Sequence, residues 1–390
     1  MAIDRVEVFV TDLPTRLQRE LVSGTWDTGP SNQLLGKPVL VKVYADGVVG
    51  YGQIRPLAPS HIVCDTTYSM VGAIREIFAP RLIGRDLFDL ELHSRAFDQV
   101  LRENPAARAA IDHALHDAMG KALGVPVYKL LGGKAQTRIP LEWSVGMSDD
   151  PQKMVAEAQR AVDEFGIPVI CSKGGHRLGW RQDVVNFAAM RKALGDKIAI
   201  GIDPNTAWTV EETLLALKAL RPYNLEYLEQ PVARRDLSGL ADIRRACDGI
   251  PLMADESVFT LSDAFELAQV RKVDVFCIKL YKMGGIRAAK KIAAVAEAAN
   301  IRLNVGGVCA FSQLESSASA HFYTSIPAAL TMGAAEFVFG LGVFGPDPLV
   351  AEPGLVIDRG HTVVPDRPGL GVTIDEKALK KLTLSHDVIK

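Results

Sequence analysis

From Arg5 to Val10 apolar residues alternate with polar ones, and Val39-Leu-Val-Lys-Val-Tyr runs into Ala45-Asp-Gly before Val48-Val-Gly-Tyr-Gly. Period-two alternation interrupted by Asp-Gly predicts a hairpin in a small antiparallel sheet. From about Ser69 to Leu123 the pattern turns helical. Ala106 to Leu123 is dense in Ala, Leu, Met and Lys, which lose little freedom in a helix, and Gly124-Val-Pro stops it.

The pattern changes near Ile139. Short apolar runs at 139–146, 168–173, 198–203, 225–229, 251–255, 275–279, 301–306 and 328–333 predict strands, with amphipathic helices between them. Asp149-Asp150-Pro151, Trp208-Thr209 and Thr260-Leu-Ser supply caps where several of those helices begin. Strands and helices at this cadence predict an α/β fold, a (β/α)8-type TIM barrel or its modified (β/α)7β form, with an N-terminal α+β capping domain. The expected division is a capping domain over 1–130, the barrel over 131–345, and a C-terminal segment, 346–390, packing back on the capping domain. Strand and turn material from Gly354 to Gly371 is expected against the N-terminal sheet, and Gly24-Thr-Trp26-Asp-Thr-Gly-Pro is a candidate lid.

Three strand candidates end in acid: Asp203, Glu229 and Asp255, each 26 residues after the one before. One βα unit needs about that length, so consecutive units deliver three carboxylates to the same end of a parallel sheet. That is a divalent-cation site with positions left for water and substrate. Acids that merely cap the following helices are the plainer explanation, but capping does not require three in register. Two further strand ends carry lysine, Lys173 on the second and Lys279 on the sixth. Four strands apart in an eight-membered ring, they face each other across the mouth. A substrate carboxylate on the metal would put its α-carbon between two amines, the arrangement for proton abstraction beside a carboxylate. Metal, second lysine and apolar walls are expected to depress a lysine's pKa. A Schiff-base nucleophile at Lys279 leaves the three acids unexplained, and a catalytically silent binding barrel leaves the whole set unexplained.

Composition narrows the partners. Net charge is −2 with Lys and Arg dispersed, which gives no nucleic-acid surface, and no apolar run is long enough to span a membrane. Five scattered cysteines without a paired motif, and an N-terminus unlike a signal peptide, lead to the expectation of a cytoplasmic protein acting on a small-molecule carboxylate.

The motifs Ile202-Asp203-Pro-Asn205, Leu228-Glu229-Gln230-Pro231, Ala254-Asp255-Glu256-Ser257 and Ile278-Lys279-Leu-Tyr-Lys-Met-Gly284-Gly285 together resemble the enolase superfamily, in its mandelate racemase/muconate lactonizing branch. Lysines on both sides bring the chain nearer the muconate lactonizing subgroup. The resemblance implies that Asp203, Glu229 and Asp255 bind Mg²⁺, with Mn²⁺ as the alternative ion. It implies that Lys173 and Lys279 are the acid/base pair of an isomerase, and that the chain is a homo-oligomer. Candidate substrate contacts are Trp26, Cys171, Asn205, Gly306 and Phe311.

Three positions depart from the subgroup: Cys171 replaces the first lysine of Lys-x-Lys, Phe311 stands where a glutamate is usual, and Tyr51-Gly52-Gln53 replaces a Gly-Glu near the lid. Loss of the neighbouring charge should leave Lys173 less depressed, and Phe311 implies a less polar ligand end or a lost proton relay. Cycloisomerase and racemase or epimerase chemistry both follow from one enediolate. A dehydratase of a hydroxy acid is the alternative, disfavoured by the apolar Trp26, Trp143 and Phe311 expected at the mouth. His176 reads as a rim loop residue.

Overall fold

The computed structural model describes residues 1–14, 17–22, 24–27, 36–58, 64–269, 271–307 and 312–390, with only the backbone of Leu21, Trp26 and Asp27. The N-terminal part contains β1 (Ile3–Thr11), the hairpin β2 (Gln18–Leu21) and β3 (Gly24–Asp27), then β4 (Val39–Ala45) and β5 (Val48–Ile54). Asp46 and Gly47 both adopt positive φ, the backbone that a tight hairpin with native twist demands of its two central residues. Helices α1 (Thr67–Gly72), α2 (Leu90–Asp98), α3 (Pro105–Leu123) and α4 (Val127–Leu130) follow. The alanine-rich α3 lies directly on β5, where a side chain at Gly52 would meet the Ala110 carbonyl at 2.1 Å.

Seven parallel strands then form one sheet: β7 (Glu142–Val145), β8 (Val169–Lys173), β9 (Ala199–Asp203), β10 (Leu225–Glu229), β11 (Leu252–Ala254), β12 (Val275–Ile278) and β13 (Arg302–Val305), after the two-residue β6 (Ile139–Pro140). Helices α5 (Pro151–Phe165), α6 (Trp180–Leu194), α7 (Val210–Leu220), α8 (Leu237–Ala246), α9 (Leu261–Ala268), the short α10 (Leu280–Met283), α11 (Ile286–Ala298) and α12 (Gln313–Thr324) alternate with the strands. Asp150 caps α5 behind Pro151, and Thr209 and Thr260 close reciprocal capping boxes on α7 and α9.

The eighth strand expected at 328–333 does not form. Ala328–Leu330 is a 3-10 turn, and Gly333 sits at φ +69°, a conformation that no strand residue adopts. The ring is nevertheless closed there by backbone hydrogen bonds. Met332 and Glu336 N–H donate to Leu303 and Val305 carbonyls on one side, at 2.8 and 3.0 Å. On the other, Ala335 exchanges bonds with Pro140 and Glu142, at 2.8 and 2.9 Å. The result is a modified (β/α)7β barrel.

Beyond it come β14 (Val350–Glu352), β15 (His361–Thr362), β16 (Thr373–Ile374), α13 (Glu376–Leu382) and β17 (Thr383–Ile389). Within Gly354–Gly371, β15 pairs with β6, and Leu370 N–H donates to Asp117 on α3, whose other oxygen accepts from Tyr51 N–H on β5 of the N-terminal sheet. It is β17 that runs antiparallel to β1 and completes the four-stranded sheet β17-β1-β4-β5. No helix among the described residues is long and apolar enough to cross a membrane.

Candidate active site

Successive side chains of a strand point to opposite faces, so the alternate residues at the strand ends of this barrel converge on its axis. β8, β9 and β10 end at Lys173, Asp203 and Glu229, while Asp255 and Lys279 come one residue after β11 and β12. Lys173 lies in register beside Asp203, and its Nζ donates to Asp203 Oδ2 at 2.6 Å. Across the barrel, Lys279 Nζ donates to Asp255 Oδ2 at 2.5 Å and stands 3.8 Å from Glu229 Oε1. All three carboxylates are buried. The structure thus brings together the five residues singled out as metal ligands and acid/base pair.

The protein groups by themselves pull each lysine's pKa in opposite directions. Burial alone would lower both lysine pKa values. Instead Asp203 and Glu336 hold Lys173 well above the ordinary lysine range, and Asp255 and Glu229 do the same for Lys279. Carboxylates at contact distance outweigh the apolar walls and the opposite lysine as long as protein groups alone set the field. Glu229 is pushed well above the usual carboxylate range by burial and by Asp203. Asp255 is buried too, yet Lys279 and Lys282 together hold it below that range.

The acids fit a hard dication. Glu229 Oε1 is buried without a hydrogen-bond partner, and its ligand oxygen lies within 4.8 Å of one on Asp203 and of one on Asp255. A buried carboxylate oxygen with no hydrogen bond, and its nearest ammonium 3.8 Å away, is stabilised by a cation bound directly to it.

Asn205, at φ +47°, directs its backbone N–H to Asp203 Oδ1 (2.9 Å) and its Nδ2 to Asp203 Oδ2 (2.8 Å) and Glu256 Oε1 (3.4 Å). Its contacts are with the acid cluster. At Gly306 an added Cβ would lie 2.6 Å from Lys279 Cε and 2.7 Å from Cys277 Sγ, so the missing side chain gives Lys279 its room. Cys171 Sγ belongs to the same cluster as Asp203 and Glu229. Phe311 and the Trp26 side chain fall outside the described residues, although the Trp26 backbone pairs with Arg19. In the hairpin carrying it, Arg19 rests on Gly146 after β7, and Val22 lies against Gly175 after β8, beside Lys173. His176 Nε2 pairs with Asp149 at 2.8 Å and its Nδ1 accepts from Leu178 N–H, so it organises the loop.

Trp143 is not at the mouth. It faces outward, stacking on Phe165 of α5 at 5.7 Å and donating to Glu157, because strand alternation turns Glu142 and Ser144 inward instead. Sequence reasoning also passed over several site residues. Lys282 is fully buried and its Nζ donates to both Asp255 Oδ1 and the Asp255 carbonyl at 2.6 Å. A lysine inside the apolar run Ile278–Met283 was the available signal. Gln230 Oε1 accepts from Asp255 and Ser257 N–H at 3.0 and 3.1 Å, tying the ends of β10 and β11 together. Glu336 Oε1, on the irregular closing segment, is 3.8 Å from Lys173 Nζ. Below it, Glu142 accepts from Tyr227 Oη at 2.7 Å, and burial followed by Glu336 pushes its pKa up to about 8.

Comparison with known proteins adds the lineage. Residues 31–132 match the mandelate racemase/muconate lactonizing enzyme N-terminal domain, and residues 153–378 match the enolase C-terminal domain-like family. Muconate cycloisomerase 1-1 of Acinetobacter lwoffii is 33% identical over 389 residues, covering 98% of this chain and 97% of the relative. Among solved structures, N-succinyl Arg/Lys racemase from Bacillus cereus superposes with a TM-score of 0.90 at 31% identity, over the full length of both chains. A dipeptide epimerase from Cytophaga hutchinsonii, solved with Mg and the dipeptide D-Ala-L-Val, superposes at 0.89 with 30% identity, again over both full lengths. The chain therefore belongs to the mandelate racemase/muconate lactonizing enzyme family of the enolase superfamily and is one of its isomerases.

Proposed function

We propose that this enzyme is a Mg²⁺-dependent isomerase that moves a proton at the carbon α to the carboxylate of a small acid. As a racemase or epimerase it removes the proton and returns one on the other face, and as a cycloisomerase it transfers one proton while a lactone C–O bond forms or breaks. Asp203, Glu229 and Asp255 are the ligands of the ion, and Lys173 and Lys279 are the acid/base pair. The observation that carries this reading is that the two ammonium groups are held on different carboxylates, Asp203 and Asp255, on either side of Glu229. A planar intermediate seated between them is open to a lysine on each face.

Bound at those ligands, the dication supplies charge that anchors the substrate carboxylate, stabilises its second negative charge, and relieves the lysines of the carboxylates that now hold their protons. The chain's own groups do the rest. Gln230 and Asn205 fix the acids, Gly306 leaves Lys279 free to reach, and the hairpin Gln18–Asp27 covers the loops beside Lys173. The related epimerase solved with Mg and a dipeptide supports the choice of ion and of a carboxylate-bearing substrate.

A second reading, dehydration of a hydroxy acid through the same intermediate, is favoured by one feature: Glu336 places a carboxylate at the mouth near Lys173. Deuterium exchange at the α-carbon, followed by NMR over muconates, N-acylated amino acids, amino-acid betaines, dipeptides and hydroxy acids, tests both. Mg²⁺-dependent exchange with an unchanged or cyclised skeleton supports the isomerase, and loss of water supports the lyase. No exchange with any acid, with Mg²⁺ bound, would count for a silent barrel.

A further inference from the structure

Two thiols lie inside the barrel against the proposed metal ligands. Sγ of Cys171 is within 4.8 Å of ligand oxygens of Asp203 and Glu229, and Sγ of Cys277 is equally close to Glu229 and Asp255. Both cysteines are reduced and buried. Hard ions such as Mg²⁺ ignore sulfur, whereas Zn²⁺ and Cd²⁺ bind thiolate strongly, so a thiol at this distance changes which ions the site accepts.

The two thiols are not equally available. Cys277 Sγ leans on Asn304 Oδ1 at 3.9 Å, and both oxygens of its neighbour Asp255 are held by lysines at 2.5 and 2.6 Å. On the other side, Lys173 holds only one oxygen of Asp203, Oδ2, and among the described residues Oδ1 receives the neutral Asn205 backbone N–H; Glu229 is common to both clusters. Tetrahedral zinc needs sulfur and oxygen ligands about 3.5 Å apart, which separations within 4.8 Å bring into the reach of side-chain rotation.

We propose that Cys171, Asp203 and Glu229 form a mixed thiolate–carboxylate site for a thiophilic divalent cation such as Zn²⁺ or Cd²⁺, overlapping the Mg²⁺ position and excluding Mg²⁺ when filled. The inference rests on the reading of Asp203 and Glu229 as metal ligands. On binding, the Sγ–metal bond replaces the S–H bond and the proton passes to solvent.

The test is a Cd²⁺ titration of metal-stripped protein, followed by the sulfur-to-cadmium charge-transfer absorbance. Parent, Cys171→Ser, Cys277→Ser and Asp203→Asn are compared, with Mg²⁺ as competitor. Cys64, Cys247 and Cys309 are present in every variant, so their contribution cancels in the differences. The expected result is one equivalent of signal that Mg²⁺ competes away. Cys277→Ser keeps it, and Cys171→Ser and Asp203→Asn lose it with a fall in Cd²⁺ affinity of roughly tenfold or more. A signal undiminished in Cys171→Ser, or lost only in Cys277→Ser, overturns the proposal. If Cys171→Ser does not fold, the decision passes to Asp203→Asn and the Mg²⁺ competition, where a signal unmoved by either overturns it. Calorimetric Mg²⁺ binding to the parent separates the two levels: Mg²⁺ bound without a cadmium signal sinks this inference alone, and no Mg²⁺ binding sinks the underlying reading.

Discussion

The two flanks of the site meet at Glu229 and are built differently. On the Lys279 side one carboxylate, Asp255, is clamped by two buried lysines, Lys279 and Lys282, and its backbone N–H is tied down by Gln230. On the Lys173 side one lysine serves Asp203, a second carboxylate, Glu336, stands 3.8 Å away, and a thiol replaces the neighbouring cation. One flank is rigid and rich in positive charge. The other is poorer in cations and lies under the Gln18–Asp27 hairpin. A buried ion pair contributes little net stability but is costly to break, so the double clamp is best understood as positioning. Charge can be rearranged more cheaply on the Lys173 side, where a substrate or a different cation has fewer contacts to displace.

The largest effect expected is on turnover. Lys173→Ala and Lys279→Ala should each lower kcat by roughly 10²–10⁴-fold or more, with Mg²⁺ binding retained by calorimetry. Full activity in either variant would break the equivalence of the lysines on which the proposed function depends. Next comes the clamp itself. Lys282→Met leaves the buried Asp255 Oδ1 and carbonyl without their donor while Lys279 stays on Oδ2, and should destabilise the metal-free protein by about 1–3 kcal/mol, partly restored by Mg²⁺. Glu336→Gln on the opposite flank, where the carboxylate stands 3.8 Å from Lys173, should move denaturant stability less than Lys282→Met does. Equal losses in the two variants would show that the flanks are not distinct.

Such comparisons need a pH window, which two histidines remote from the site define. Burial pushes His113 down to about 4 and His321 to about 3, so the folded chain rejects protons that the unfolded chain binds near 6.5. Their stabilisation is present above that value and is lost as pH falls toward 4. The difference between denaturant melts of the parent and of His113→Asn should shift by about 2.5 kcal/mol between pH 7.5 and 4.5, with the raised carboxylates common to both cancelling. A flat difference would mean that this ring does not stay neutral. The smallest effect concerns room rather than charge. Gly306→Ala would force Lys279 aside at a cost of about 1–3 kcal/mol in stability, with a larger fall in kcat than in Mg²⁺ affinity. If kcat holds, Lys279 does not need that space.

Much of this was legible along the chain, for a local reason. A strand that ends in acid delivers that acid to a known end of a parallel barrel, so Asp203, Glu229 and Asp255 could be placed together from their spacing, and Lys173 and Lys279 from their strand numbers. The Asp46-Gly47 turn and the Asp150, Thr209 and Thr260 caps were equally readable, because each depends on residues within one turn of itself. Inside-outside alternation was harder. Trp143 looked like a mouth residue until its neighbours fixed which face of β7 turns inward, bringing in Glu142.

The sequence by itself determined the barrel, the order of its charged strand ends and the family resemblance, since these are carried by periodicity and by contacts short in sequence. Only the tertiary structure decided that the ring closes without an eighth strand, that the C-terminal β17 completes the N-terminal sheet, and that Lys282 shares Asp255 with Lys279. It also decided which carboxylates hold each lysine's pKa up, because a pKa is the sum of burial and of every charge within reach. Those charges come from strands whose side chains meet only when the sheet has curled into a barrel.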